Sequence, residues 1–109
     1  MKLTKKERRI IKEFKRRAER QFPGEIISVM VFGSKVRGDA TRASDIDILV
    51  ITPSDDWALG DKIREIGYEL DEEIDFALSI QVISKNHFTY LRDKNFQFVK
   101  NIERDGITI

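Results

Sequence analysis

Residues 26–51 run Ile26-Ile27-Ser28-Val29-Met30-Val31-Phe32-Gly33-Ser34-Lys35-Val36-Arg37-Gly38-Asp39-Ala40-Thr41-Arg42-Ala43-Ser44-Asp45-Ile46-Asp47-Ile48-Leu49-Val50-Ile51. Two apolar stretches bracket a polar middle. The first, Ile26 to Phe32, is β-rich and mostly apolar, as expected of a central strand. Gly33-Ser34 ends it abruptly. The second, Asp45 to Ile51, is polar at its start and apolar after, and Pro53 closes it because proline cannot donate to a ladder. The segment between reads as a turn with one helical turn in it, and Gly38 lets the chain head back towards the second strand.

Upstream, Thr4-Lys5-Lys6-Glu7 spells a capping box. Ile10, Ile11, Phe14, Ala18 and Phe22 then recur at helical spacing, which predicts a helix to about Gln21, stopped by Pro23-Gly24. Downstream, Ser54 is expected to cap a second long helix opening with Asp55-Asp56. Leu59, Ile63, Ile66 and Leu70 fall on one face of it, leaving Glu65, Glu69 and Asp71 to Glu73 exposed. Ile74 to Ile83 reads as a third strand. Ser84 starts a short helix through Leu91, Asn95 to Asp105 forms a last one, and Gly106 caps it before a short Ile107-Thr108-Ile109 strand. This order predicts an α+β fold: a small mixed β-sheet covered by helices, one domain over residues 1–109.

A chain of 109 residues with 40% hydrophobic and 36% charged residues is a globular domain that buries about two-thirds of its unfolded surface. No apolar run approaches the ~18 residues of a membrane span, and Met1 to Glu7 lacks the apolar stretch of a signal peptide. The expectation is a cytoplasmic protein with no membrane partner. The absence of cysteine excludes disulfide scaffolds, zinc ribbons and thiol catalysis, and the single histidine, His87, excludes any site that needs two. The net charge of +1 conceals a division. Residues 1–22 carry ten Lys/Arg against three Glu, while the remainder is acidic. Such a split suggests a basic face beside an acidic one.

The chemistry concentrates where the strands begin and end. Asp45 and Asp47 are two apart on a strand and therefore share a face. Adjacent carboxylates repel unless cations compensate, and hard Mg²⁺ takes one or two carboxylates plus phosphate oxygens. Gly33-Ser34 comes directly off a strand, where backbone amides and a hydroxyl can face an anion with no side chain in the way. Arg37 follows within reach of a phosphate. A phosphate cradle beside a carboxylate pair suits phosphoryl or nucleotidyl transfer. No Gly-Lys-Ser/Thr ending is present, so this is not a P-loop.

Gly33-Ser34-Lys35-Val36-Arg37-Gly38-Asp39-Ala40, three further residues, then Ser44-Asp45-Ile46-Asp47 resembles the signature of polymerase-beta-like nucleotidyltransferases. It is most similar to the minimal nucleotidyltransferases, small prokaryotic proteins made of little but the catalytic core. The resemblance covers nearly the whole chain. It implies that Gly33 and Ser34 bind the β/γ-phosphates of a nucleoside triphosphate, ATP by preference. Arg37 and Ser44 join them as nucleotide-binding candidates. It implies two Mg²⁺ ions, or Mn²⁺ in their place, held by Asp45 and Asp47. It further implies a third carboxylate on the next strand, which binds the metal ion that activates the attacking hydroxyl. Asp75, at the polar-to-apolar start of the third strand, is the candidate, although it also ends the acidic run Asp71-Glu72-Glu73. Minimal members are typically encoded beside a helical HEPN-type partner, and some act as antitoxins that adenylylate a tyrosine of it. The rival expectations are a catalytically degenerate nucleotide- or protein-binding module and an RNA- or antibiotic-modifying enzyme.

Other residues read more plainly. His87 decorates an exposed helix face. Trp57 staples the second helix to the sheet. Phe96 and Phe98, two apart on a helix, cannot share a face. With Ile10, Phe14 and Ala18 turned to the sheet, Lys5, Arg8, Arg9, Lys12, Arg16 and Arg20 face solvent. These cations outnumber nearby acids, so the first helix is expected to dock an acidic protein partner in preference to nucleic acid, since no interleaved aromatics are present to stack bases.

Overall fold

In the computed structural model, which describes residues 3–33, 36, 45–71 and 78–109, helix α1 spans Lys5–Gln21. Its capping box forms as the sequence predicts. The Thr4 hydroxyl accepts from the Glu7 amide at 3.1 Å, and a Glu7 carboxylate oxygen accepts from the Thr4 amide at 2.8 Å. Glu7 is buried by this role. Ile11, Phe14 and Ala18 are fully buried on the inner face, with Ile10 only partly so.

Strands β1 (Ser28–Phe32) and β2 (Ile46–Thr52) follow, then helix α2 (Trp57–Asp71), strand β3 (Leu78–Ser84), helices α3 (Lys85–Asp93) and α4 (Gln97–Asp105), and strand β4 (Ile107–Thr108). The sheet order is β3-β2-β1-β4. β1 is antiparallel to β2 and to β4, and β2 is parallel to β3 through the α2 crossover. The sheet is therefore mixed, as expected.

Alternation divides the core into two. Val29, Val31, Ile46, Ile48 and Val50 face α1 and α2, against Phe14, Ile63, Ile66 and Leu70. Leu49 and Ile51 face the other way, against Ile102 of α4, Met30, Phe32 and Phe98. β2 is thus apolar on both faces, which is why its sequence shows a run and not an alternation.

Several boundaries differ from the sequence expectation for local reasons. The cap of α2 is Asp56, whose carboxylate accepts from the Leu59 amide at 3.1 Å; Ser54 instead offers its carbonyl to the Thr52 hydroxyl at 3.0 Å. The first helical residue is accordingly Trp57, and its indole is 79% exposed and staples nothing. Phe96 is the cap residue before α4, outside the helix and exposed, while Phe98 packs edge-on to Phe32 with centroids 5.9 Å apart. Gly106 does cap α4, but with extended backbone (φ −66°, ψ 140°) and not the left-handed form. Ser84 caps α3, accepting from the His87 amide at 3.0 Å, and His87 is exposed as expected. The upstream part of the expected third strand, residues 74–77, lies outside the described residues.

The packing separates two aromatic residues cleanly. Phe14→Ala should cost about 3–5 kcal/mol, because it removes a fully buried ring and leaves a cavity. Trp57→Ala should stay within about 0.5 kcal/mol of the parent protein. Urea unfolding of both variants reads the difference.

Candidate active site

The site is built at the end of β1 and the start of β2. Antiparallel pairing sets Phe32 opposite Asp47. The next residue, Gly33, takes φ +83°, a conformation that side chains rarely adopt. A Cβ placed there would run into the Asp47 carboxylate oxygen Oδ2. Glycine is therefore required twice over, by its backbone and by the carboxylate it lies against. The chain then turns at once, with the Val36 amide donating to the Gly33 carbonyl at 3.2 Å.

Asp45 precedes β2 and is exposed, while Asp47 is half-buried within it. On β2, Asp47 is the one residue that is not buried. It belongs to the face covered by α4, beside Phe32, whose edge-on contact with Phe98 forms an apolar wall behind it. The parallel register to β3 sets Ser79 level with Asp47, a neighbour to which the sequence assigns no role. A half-buried hydroxyl there could be found only by knowing the register.

Of the residues expected at the site, the structure brings together Gly33 and Asp47, with Asp45 at the adjacent strand mouth. Ser34, Arg37, Ser44 and Asp75 lie outside the described residues. Asp75 is three positions before Leu78, the first described residue of β3, whose register partner is Ile46. Among the described residues no three acidic or histidine side chains gather as a metal cluster. Asp45 and Asp47 offer only oxygen donors, the ligand type that Mg²⁺ and Mn²⁺ take, and the exposure of Asp45 leaves room for phosphate oxygens to complete a shell.

The basic face of α1 is also visible. Lys5, Arg8, Arg9, Lys12, Arg16 and Arg20 are all exposed. Arg16 departs from the expectation of an unpaired cation. Glu13 accepts from Arg16 at 2.6 Å and from Arg17 at 2.9 Å, and these hydrogen bonds, Arg16 first, lower its carboxyl from 4.5 to about 2. Because the folded value is the lower one, this pairing contributes above the ordinary carboxylate range and is lost as pH falls through about 2; being at the surface, it contributes little. Lys5, Arg8, Arg9, Lys12 and Arg20 make no ion pair among the described residues. No described helix is long and apolar enough to cross a membrane.

A family model described as a nucleotidyltransferase domain matches residues 8–106. A Methanocaldococcus jannaschii protein, provisionally named a protein adenylyltransferase, is 29% identical over 100 residues, covering 92% of this chain and 94% of its own length. The fold matches a crystal structure from Sulfolobus solfataricus, provisionally described as a nucleotidyltransferase, with a TM-score of 0.53 at 24% identity, over 92% of this chain and 76% of that one. A toxin–antitoxin structure with AMP-PNP matches with a TM-score of 0.52 at 20% identity, over 88% of this chain and 69% of that one. At such identities the two structures share the fold alone.

Gly33→Ala is expected to destabilise the protein by about 1–3 kcal/mol and to push the Asp47 carboxylate from its place. Thermal melting measures the first effect. Combining Gly33→Ala with Asp47→Gly should return part of the loss, because the overlap disappears while the positive φ remains.

Proposed function

This chain belongs to the nucleotidyltransferase domain family and is a transferase enzyme, and from that premise we propose that it moves AMP from ATP onto a hydroxyl of a partner protein. The acceptor is a tyrosine of a helical HEPN-type partner, towards which the chain acts as an antitoxin. The observation that supports this reading is the closure of Gly33 onto Asp47 at one strand mouth, with Gly33 assigned to the phosphate cradle and Asp47 to the metal in this proposal. Support for the adenine nucleotide comes from the name of the archaeal relative and from AMP-PNP in the toxin–antitoxin structure. The latter assembly also supports a protein partner.

In this mechanism Gly33, Ser34, Arg37 and Ser44 hold the triphosphate. Arg37 adds a charge-assisted contact. Asp45 and Asp47 would hold the divalent ions, Mg²⁺ or Mn²⁺, which when bound would supply charge neutralisation at the phosphates. The acceptor hydroxyl oxygen attacks the α-phosphorus. A new phosphorus–oxygen bond forms as the bond to the oxygen bridging to the β-phosphate breaks, and pyrophosphate departs. Asp75 would hold the ion that activates the acceptor hydroxyl and take up its proton. The apolar wall of Phe32 and Phe98 limits water behind Asp47.

The partner approaches with an acidic surface towards α1. Only Glu19 remains on this helix as an uncommitted acid, since Glu7 caps it and Glu13 is shared by two arginines. The five remaining cations present a charged stripe about 22 Å long, from Lys5 to Arg20. Such a stripe steers a partner of opposite sign in a salt-dependent way.

Two expected outcomes test this function. Asp47→Asn should abolish adenylyl transfer and weaken Mn²⁺–ATP binding with little change in folding, whereas Asp75→Ala should abolish transfer and spare nucleotide binding. Calorimetry and a radiolabelled transfer assay separate the two, and unchanged Mn²⁺–ATP affinity in Asp47→Asn would remove the metal assignment. Replacing Arg8, Arg9 and Lys12 together by glutamate should lower co-purification of the partner by about tenfold or more, as added salt does in the parent protein. Association indifferent to both would clear α1 of the docking role.

A further inference from the structure

The two edges of the sheet are finished differently. At one edge lies β4, two residues long, and a short edge strand discourages pairing with another chain. At the other lies β3, seven residues of sequence Leu78-Ser79-Ile80-Gln81-Val82-Ile83-Ser84, with no charge and no proline. Among the described residues nothing pairs with its outer side beyond the Leu78 amide, which donates to Asp71 at 2.8 Å. Natural edges of this length usually carry a lysine, a proline or a bulge.

Beside that edge runs α2. Gly60 and Gly67 bring it down onto Val82 and Ile80, and a Cβ at Gly67 would collide with the Ile80 Cδ1. Trp57 and Tyr68 lie eleven residues apart, three helical turns, and therefore on one stripe of α2 about 16 Å long. They are 79% and 61% exposed. At the carboxyl ends of β2 and β3, about 20 Å along the sheet from Asp45, a cavity of about 220 Å³ opens between Trp57, Asp55, Asp56, Ser84 and His87. Neither the cavity nor the stripe has a part in the proposed transfer chemistry.

We propose that the β3 edge, with the Trp57 cavity at its end, takes up an extended segment of a partner protein as an added strand, an arginine or lysine of that segment entering the cavity. The unpaired backbone of β3 specifies a strand as the occupant. The cavity specifies a cation, because an exposed indole face beside the carboxylates of Asp55 and Asp56 attracts one, and Arg64 at its wall is already committed to Asp61 at 2.9 Å. A second copy of this chain is a poor occupant. Its own β3 carries no cation, and symmetric pairing would bring two α2 surfaces with exposed Asp55, Asp56, Glu65 and Glu69 together.

Trp57 is the only tryptophan, so its emission reports the cavity directly. The probes are three synthetic seven-residue peptides of alternating valine and threonine. One ends in arginine, one in glutamate, and one has the arginine ending with two prolines inside. The arginine peptide should blue-shift the emission saturably and slow amide exchange across residues 78–84 at least tenfold. It should bind about fivefold more tightly than the glutamate peptide, as expected for a partly exposed charge contact, and the proline peptide should fail. Trp57→Ala, read by exchange, and Gln81→Lys, which adds a repelling cation to the edge, should each weaken the arginine peptide severalfold while leaving the melting temperature and adenylyl transfer unchanged. The proposal is overturned by equal binding of all three peptides, by an emission shift without protection of β3, or by no binding at millimolar peptide. Dimerisation of the chain alone with the same amides protected would also overturn it, since the occupant would then be a second copy. Because transfer is scored separately, failure here leaves the transferase reading untouched.

Discussion

The antiparallel pairing of β1 with β2 is the constraint on which the site depends. It places Phe32 opposite Asp47 and so delivers Gly33, the next residue, against the carboxylate. A shift of one residue would send Asp47 to the opposite face, among Ile46, Ile48 and Val50, where an ionised group could not be accommodated without several kcal/mol of cost. Asp47, the one residue of β2 that is not buried, distinguishes its two apolar faces and so opposes such a shift. Packing and chemistry are thus set by the same ladder.

Around that ladder the helices have distinct tasks. α1 and α2 seal the face with Val29, Val31, Ile48 and Val50, and their outer surfaces carry charge of opposite sign. α1 commits Glu7 to its cap and Glu13 to two arginines, which leaves five cations on its outer face against one further acid, Glu19. α4 seals the other face and places Phe98 on Phe32, behind Asp47. The βαβ unit of β2, α2 and β3 leaves a cavity at the far end of the sheet, where strand ends and helix starts meet. The molecule therefore has the candidate active site at one end of β2 and a cavity at the other.

Much of this was legible in the linear chain. The capping box at Thr4, the helical spacing of Ile11, Phe14 and Ala18, and the apolar runs of both central strands are local signals, written by neighbours within one or two turns. The motif from Gly33 to Asp47 identified the family for the same reason, since its residues act through short, fixed spacing. The charge of α1 needed no more than helical geometry.

Other features were decided only when distant segments met. Trp57 was expected to staple α2 to the sheet, yet as the first residue of α2 it stands exposed beside the cavity at the ends of β2 and β3. The level of Ser79 with Asp47, the open edge of β3 and the closeness of Gly67 to Ile80 all follow from a parallel register across a crossover. Sequence by itself determines what each segment can form and which residues carry charge, because those preferences are local. Only the tertiary structure decides which strand lies at an edge and which carboxylate meets which glycine, because pairing is a contest among segments far apart in the chain, settled by the burial of both faces at once.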